Sequence, residues 1–260
     1  MYKILKYSFI DLIRGRWIFI YLLFYLLIGF GLLFLNNDLS NAIITLMNII
    51  IVLVPLISCV FGITYYYNSK DFTQLLLAQP IKRKNVFLAQ YLGVAISLSS
   101  CLIIGLSIPF VFFGVFDSSS IWDFFLLIIV GGILTFIFIS LSFNIGISND
   151  NKLKGFGYTV LLWLLLAVIY DGLFLILLIL FNEYSLNYLT LWGIILNPID
   201  LSRTLIILNI DISALLGYTG ATFKMFLGNL YGVFSCIFLL ILWLIIPVLI
   251  LVKKVKNKDF

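Results

Sequence analysis

Long apolar runs, separated by short polar segments, make up most of the 260-residue chain. Six of these runs are long enough to cross a membrane as helices, which takes about 20 apolar residues each. They cover 17–35, 42–64, 87–115, 122–147, 158–181 and 229–252. None alternates with the period of two that a membrane β-barrel shows, and a helix satisfies its own backbone hydrogen bonds in lipid. The pattern predicts one all-α integral membrane domain over 1–260, with six transmembrane helices.

Residues 1–16 precede the first long run and have a different pattern. Apolar side chains recur there at helical spacing, and charged side chains lie off that stripe. The apolar positions are Ile4, Leu5, Phe9, Leu12 and Ile13. This predicts an interfacial helix on the inner membrane surface; the alternative is a ragged start to the first span. Because the charges spread over the whole segment and no small-residue cleavage site follows, we expect no cleavable signal peptide.

Composition is typical of a chain that lies almost wholly in the membrane. Hydrophobic residues account for 63% and charged residues for 10%, whereas soluble domains are usually about half apolar and a quarter charged. The sequence has no histidine, which removes the commonest general base, and its three cysteines lie inside apolar runs. A phosphate-binding G-x-x-x-x-G-K-[ST] loop is also absent. We therefore expect no enzymatic activity and no cofactor bound by this chain.

The 16 Lys and Arg residues lie mostly on one side of the predicted membrane. Fourteen fall in the N-terminus, the second and fourth connections and the tail, while Arg203 and Lys224 fall in the fifth connection. Since positively charged loops stay in the cytoplasm, both termini are predicted to be cytoplasmic and 182–228 to lie outside. Anionic headgroups of membrane lipid account for the net charge of +5, so we expect no nucleic-acid partner.

The second connection, 65–86, carries the clearest cytoplasmic pattern. Asn68 and Asp71 resemble a helix start and Pro80 marks an end, which predicts a surface helix of about ten residues. A basic cluster follows it. One interpretation is a solvated loop with charges that set the topology; the other is a helix that fits a groove on a cytoplasmic partner. The candidate contact residues are Asp71, Phe72, Leu75, Leu76, Pro80, Lys82 and Arg83.

The fifth connection, 182–228, has apolar stretches that are too short to span. Asn197 is a good helix cap, and Pro198 and Asp200 suit a first turn. Further on, two glycines break the pattern around a turn. We expect small external helices and a glycine-containing loop, which serve as a cap over the outer helix ends, as a docking surface for a partner, or as both. The candidate docking residues are Asn197, Pro198, Asp200, Arg203, Gly217, Tyr218, Thr219 and Gly220.

Asp171 is an intramembrane polar residue in the fifth run. A charge at membrane depth costs at least about 2.5 kcal/mol, so this carboxyl should be protonated, paired or facing a wet cavity. By depth, its candidate partners are Asn48, Asn144 and Tyr170. A proton-linked or conformational role and a plain hydrogen bond to a neighbouring helix both fit the sequence. A soft metal ion prefers Cys, Met or His ligands in series, and the scattering of these residues along the chain predicts no metal site.

The stretch LLLAQPIKR at 75–83, in a chain with six spans and an N-terminal interfacial helix, resembles ABC-2-type transporter permeases. The residues that match a short motif of that family's coupling region are Leu76, Leu77, Pro80, Ile81 and Arg83. The resemblance implies a homodimer in a bacterial inner membrane. It also implies two separate cytoplasmic ATPase subunits, which bind ATP and Mg and drive the permease.

A second, more specific resemblance lies in the fifth connection. LNPIDLSRTLIIL and the later DISALLGYTGATF are similar to NosY-type permeases of the copper-processing ABC system that matures nitrous oxide reductase. The matching positions are Asn197, Pro198, Asp200, Arg203 and 217–221. This resemblance implies that the permease couples its ATPase subunits to a periplasmic β-helical protein of the NosD type. The complex would support assembly of the enzyme's copper centre.

Three hypotheses for the function follow. The first is this maturation system, and the second is a generic ABC-2 exporter of a lipid, peptide or drug. The third is a membrane scaffold or a membrane-embedded enzyme. Catalysis needs clustered ionisable groups, and only Asp171 lies at membrane depth, so the sequence argues against an enzyme.

Overall fold

The computed structural model of the chain describes residues 1–35, 39–118, 120–180, 187–210 and 230–257, and the regular elements in them are helical. The helices are α1 (Tyr2–Arg14), α2 (Arg16–Leu35), α3 (Leu39–Asn68), α4 (Lys70–Leu77), α5 (Arg83–Phe112), α6 (Ile121–Ser148), α7 (Lys152–Leu164), α8 (Tyr170–Leu180), α9 (Asn187–Ile195), α10 (Pro198–Ile210) and α11 (Leu230–Asn257). A 3₁₀ turn at Val115–Asp117 follows α5, and a π-helical turn at Leu165–Ile169 joins α7 to α8. The predicted all-α fold is confirmed over this part of the chain.

Six segments of the described residues are long and apolar enough to span a membrane, as predicted. Single helices form five of them: α2, α3, α5, α6 and α11. The remaining one, which is the fifth span along the chain, is the continuous rod of α7 and α8. This fifth span begins at Lys152, earlier than the apolar run indicated. The Asn151 side chain accepts hydrogen bonds from the backbone amides of Leu153 and Lys154 and so starts the helix. Hydropathy misses this polar first turn because a cap, not an apolar side chain, defines it.

The N-terminal helix α1 is separate from the first span, as predicted. The backbone of Gly15 is extended (φ −68°, ψ 132°) and ends α1. Ser8 of α1 packs closely on α5: a Cβ built at Gly93 would lie 2.7 Å from the Ser8 Cβ. Only a glycine at residue 93 allows this approach, so α1 is attached to the third span. Its position on the membrane surface stays a prediction.

The helices α5 and α6 form the centre of the bundle, with their apolar side chains largely buried against α2, α3 and α11. Small residues bring α2 and α5 together at two levels. A Cβ at Gly29 would lie 2.8 Å from Pro109, and a Cβ at Gly105 would lie 2.7 Å from Tyr25. Between helices in lipid the hydrophobic driving force is weak, so close backbone approach of this kind is a main source of packing energy.

One end of the bundle, here called the basic end, carries Lys70, Lys152 and Lys254. The end of α3 meets the start of α7 there. Tyr67 Oη donates to the Asn149 carbonyl oxygen (2.7 Å), and Lys152 Nζ donates to Asn68 Oδ1 (3.0 Å). These hydrogen bonds join the connection before the fifth span, and its first residue Lys152, to the end of α3, directly before α4.

The helices α9 and α10 are inserted into the bundle. Trp243 Nε1 of α11 donates to the Ile195 carbonyl oxygen at the end of α9 (3.0 Å). Trp243 precedes Lys254 by eleven residues, or about 16 Å of helix, so the turn between α9 and α10 lies well away from the basic end. α10 packs against α3, α6 and α11, and most of its side chains are buried. The described part of the predicted cap is therefore packed against the bundle, with Leu196 at the turn exposed (58%), and its position relative to the membrane stays a prediction.

Candidate functional site

A polar cluster joins the fifth span to α10. Arg203 Nη1 of α10 lies 3.0 Å from Asp171 Oδ2 of α8 and 3.1 Å from Asp200 Oδ1 of α10. With Asn197, these residues are here called the Asp–Arg cluster. Asp200 is only 9% exposed, and the side chains of Arg203 and Asp171 are 27% and 28% exposed. Because the ion pairs are largely shielded from solvent, removing one partner would leave an uncompensated charge.

The local sequence explains how α10 presents these groups. Asn197 Oδ1 accepts a hydrogen bond from the Ile199 amide (3.1 Å), and Pro198 is the first helical residue. The prediction that Asn197 caps the start of this helix is thus confirmed. Asp200 and Arg203 are three residues apart and share one face of α10. Asn197 Nδ2 donates to Asp200 Oδ2 (2.9 Å), which orients the carboxylate toward the guanidinium.

The π-helical turn at Leu165–Ile169 brings the fifth span to the start of α10. A π turn interrupts the regular hydrogen-bond pattern of an α-helix, so its backbone carbonyls are available to donors from outside the helix. The Leu166 carbonyl oxygen accepts a hydrogen bond from Asn197 Nδ2 at 2.8 Å. Asn197 therefore bonds to both elements: it caps α10 and holds the wide turn of the fifth span against it.

Two carboxylates share one guanidinium in the cluster, which leaves one negative charge in excess. Burial, assisted by the negative charge of Asp171, raises the pKa of Asp200 to about 7 against the opposing effect of Arg203. Asp200 therefore takes up a proton near neutral pH, and the cluster is then electrically neutral. Asp171 Oδ1 is buried and accepts no hydrogen bond from the described residues, so it is free to accept one from a protonated Asp200.

Asp171 is paired, which is one of the three states that the sequence allowed, but its partner differs from the predicted ones. Those were Asn48, Asn144 and Tyr170. Asn144 Nδ2 instead donates to the Pro247 carbonyl oxygen (2.8 Å), and the Tyr170 hydroxyl donates to the Gly193 carbonyl oxygen of α9. The signal that predicts the true pair is an unmatched acid in a span, followed by an isolated arginine in the next polar segment.

Asp171 also lies closer to the membrane boundary than its place in the apolar run suggests. It follows Lys152 by nineteen residues, which is about 28 Å along the helix axis. A hydrocarbon core is about 30 Å thick. The Asp–Arg cluster is therefore at the far side of the membrane from the basic end, where the cost of an ionised group is lower than at the bilayer centre.

The predicted docking residues that the structure describes are turned into the chain. Asn197, Pro198 and Asp200 are buried, and Arg203 is half-buried and paired with two acids. Their contacts are with other parts of the same chain. Outside the described residues lie Gly217, Tyr218, Thr219 and Gly220. Docking of a partner by this segment stays a prediction.

The predicted surface helix between the second and third spans is α4, which is shorter than expected. It has eight residues, Lys70–Leu77. Asn68, the predicted cap, is instead the last residue of α3, and Ser69 precedes α4 without a side-chain cap hydrogen bond. Because a proline disfavours helical backbone at the residue before it, the helix ends ahead of Pro80.

One side of α4 is attached to the protein and the other is exposed. Phe72 stacks on Tyr7 of α1 with ring centroids 4.7 Å apart, and Gln90 Nε2 of α5 donates to Thr73 Oγ1 (2.8 Å). Leu76 packs against a small apolar cluster between α1 and α5. The exposed candidates are Asp71, Leu75, Pro80, Lys82 and Arg83. They form a surface that Phe72 and Leu76 support from within, and its contact with an ATPase stays a prediction.

No arrangement suited to a metal occurs in the ranges that the structure describes. Groups of three or more His, Cys, Asp or Glu side chains able to hold an ion are absent there. Cys59, Cys101 and Cys236 are buried and free. The chemistry that the described site offers is proton uptake and ion pairing at the Asp–Arg cluster.

Comparison with known proteins points to a transporter subunit. No protein-family model matches the chain. The chain is 23% identical over 219 residues to the probable ABC transporter permease protein NosY of Stutzerimonas stutzeri, an alignment that covers 78% of this chain and 79% of that protein. The predicted resemblance to ABC transporter permeases is thereby confirmed. Together with six helices able to span a membrane, this similarity supports a multi-pass membrane protein that is the permease subunit of an ABC transporter.

Proposed function

We propose that the chain is the permease of an ABC complex that matures the copper centre of nitrous oxide reductase. It works as a homodimer in the bacterial inner membrane, with the basic end in the cytoplasm. Two cytoplasmic ATPase subunits bind ATP and Mg, and a periplasmic β-helical protein of the NosD type binds the outer end. The chain itself is not catalytic. The similarity to the NosY permease supports the proposal.

The observation that carries the coupling is a line of polar contacts along the fifth span. At the basic end Lys152 is bonded to Asn68, next to α4. At the other end Asp171 is paired with Arg203 of α10. A single helical rod with one π turn connects the two points. A movement of α4 that follows ATP binding is therefore transmitted along the fifth span to α10, which favours one membrane arrangement over the other.

The fifth span also offers a surface for the second copy. Only 11% of its most apolar window is buried within the chain. A Cβ at Gly172 would meet nothing within 4 Å, so this face has no neighbour in the described chain. Small residues on a membrane helix allow another helix to approach closely. Packing of two copies along α7 and α8 would place the transmitted movement directly at the dimer seam.

The coupling surface is tested in the complex purified with its ATPase subunit. Leu75 is 69% exposed on α4, so an ATPase that binds α4 buries it. Leu75→Asp, or charge reversal of Lys82 and Arg83, should leave the permease folded but abolish its effect on the ATPase rate. Leu153→Asp, at a leucine of α7 that is also exposed (83%), is the matched control. An unchanged ATPase rate with Leu75→Asp would reject α4 as the receiving surface.

A generic exporter of a lipid, peptide or drug is the second candidate, which the exposed apolar face of the fifth span favours. The two functions differ at the outer end. In the maturation complex, Arg203→Ala should release the periplasmic partner while the ATPase subunits remain bound. A wild-type complex that carries ATPase subunits but retains no periplasmic protein would favour the exporter.

A further inference from the structure

A lateral groove between α5, α6 and α11 contains none of the residues of the Asp–Arg cluster or the coupling surface. Its volume is about 590 Å³. The lining is apolar and includes Leu92 and Ile103 of α5, Ile129 and Phe136 of α6, and Leu244 and Val248 of α11. Tyr91 and Ser99 also line it, and the Tyr91 hydroxyl is already used to donate to the Phe136 carbonyl oxygen (3.3 Å). The groove therefore suits a long apolar ligand.

The shape of the groove fits an acyl chain that enters from the side. Ile103 and Ile129 on its rim are 44% and 59% exposed, so the groove opens to the surroundings of the bundle. A Cβ at Gly132 would meet nothing within 4 Å, which leaves a notch in the α6 wall. From Leu88 to Ile103 the α5 wall is fifteen residues long, or about 22 Å. One leaflet contributes about 15 Å of hydrocarbon, so a whole acyl chain fits.

A positive charge marks one end of the groove. Lys84 lies four residues before Leu88 and therefore on the same face of α5. It is exposed, at the N-terminal turn of α5, and this turn contains no acidic residue. The positive end of the helix dipole adds to the charge of the ammonium group. Within the described part of the chain, the Lys84 side chain makes no hydrogen bond or ion pair.

We infer that this groove binds one anionic diacyl phospholipid, with an acyl chain in the notch at Gly132 and the phosphate on Lys84. A basic pocket at the headgroup level beside an apolar groove matches the two parts of such a lipid. A second copy of the chain has the less covered face of the fifth span available to it, where 11% of the most apolar window is buried. The site is independent of the ATPase coupling proposed above.

The test uses the full chain, delipidated in detergent and titrated with phosphatidylglycerol or phosphatidylcholine, with bound lipids counted by native mass spectrometry. Wild type should retain phosphatidylglycerol in preference to phosphatidylcholine. Lys84→Gln should reduce the retention of phosphatidylglycerol about fivefold, since one basic residue near a headgroup contributes about 1 kcal/mol. Gly132→Leu should fill the notch and remove the retained lipid whatever its headgroup.

Gly31→Leu is the matched control, because a Cβ at Gly31 of α2 also meets nothing within 4 Å. It should retain phosphatidylglycerol as wild type does. Equal retention in wild type, Lys84→Gln and Gly132→Leu would overturn the site, and so would equal loss with Gly31→Leu. Equal retention of the two lipids by wild type would overturn the role of Lys84. If Gly132→Leu elutes as an aggregate, the smaller Gly132→Ala variant takes its place beside Lys84→Gln. Retention equal to that of wild type in both variants would then overturn the site.

Discussion

The fourth span, Ile121–Ser148, and the fifth, Lys152–Leu177, are both long apolar helices, but the chain buries them very differently. It covers 61% of the most apolar window of the fourth and 11% of that of the fifth. Side chains of α3, α5 and α11 pack along the fourth span. The fifth packs on α3 and α6 along α7 and is also joined to its neighbours by polar contacts: Lys152 is bonded to Asn68, Trp163 Nε1 donates to the Val52 carbonyl oxygen (3.1 Å), and Asp171 is paired with Arg203.

This difference separates a helix at the centre of the fold from one at its edge. Continuous packing resists displacement because every contact is lost together. A helix with few buried side chains is displaced at a lower cost to the core, and the uncovered face of the fifth span is where we propose that a second copy packs. The contrast between packing and polar attachment can be tested residue by residue.

The largest effect is expected at the ion pair. Arg203→Ala leaves two acids without a cation and should lower the free energy of unfolding by about 3 kcal/mol, the lower end of the range for buried pairs. Unfolding in mixed detergent micelles measures it. Asp171→Asn in the same chain should restore part of the loss, because one carboxylate then remains. If the double variant is as unstable as the sum of the single ones, the two residues do not interact.

Overpacking distinguishes the two spans directly. A Cβ at Gly131 of the fourth span would lie 3.1 Å from Leu102 and 3.3 Å from Ile50, so Gly131→Leu should cost about 2 kcal/mol of stability. Gly172→Leu on the fifth span meets nothing within the chain and should leave the monomer stable while weakening the proposed dimer. Unfolding and cross-linking report the two effects. Equal destabilisation by both variants would contradict the contrast.

The Asp–Arg cluster predicts a dependence of stability on pH. Asp200 has a folded pKa of about 7 against an ordinary value of 3.8, so the folded state binds more protons between these values. The stability that Asp200 contributes is complete below pH 3.8 and is lost as the pH rises to about 7. Thermal unfolding from pH 4 to 8 should show this slope in wild type and not in Asp200→Asn. Asp71→Asn, on the exposed side of α4, should keep the wild-type profile.

The smallest effect concerns one hydrogen bond. Trp163→Phe keeps an aromatic side chain but removes the bond to the Val52 carbonyl oxygen, which should cost about 1 kcal/mol. Trp122→Phe on the fourth span is the control: Trp122 is 76% exposed, and its replacement should change stability by less than about 0.5 kcal/mol. The same unfolding assay applies. A larger loss at residue 122 would indicate that the fourth span depends on surface contacts.

Local rules in the sequence predicted much of the fold. Hydropathy located six spans, and Asn197 with Pro198 located the start of α10. Where a cap sets the boundary, hydropathy was less accurate, as at Asn151. The length of α4 was overestimated because the proline was taken as the helix end, whereas its restriction applies to the residues before it.

The partner of Asp171 required the tertiary structure. Arg203 is 32 residues away in sequence, and the positive-inside rule assigned it to an external segment. Only the insertion of α9 and α10 brings the two side chains to one level. Burial of the docking candidates follows from the same insertion, which hydropathy does not predict because each helix is too short to be counted as a span.

The sequence alone determined that this chain is a six-span helical membrane protein, because apolar length and backbone hydrogen bonding in lipid are local properties. Its resemblance to ABC transporter permeases was also evident in short motifs. The tertiary structure decided which of those helices are covered, which two acids meet Arg203, and where a groove opens between α5, α6 and α11. Those features depend on distances between segments far apart in the chain, and the packing of whole helices sets such distances.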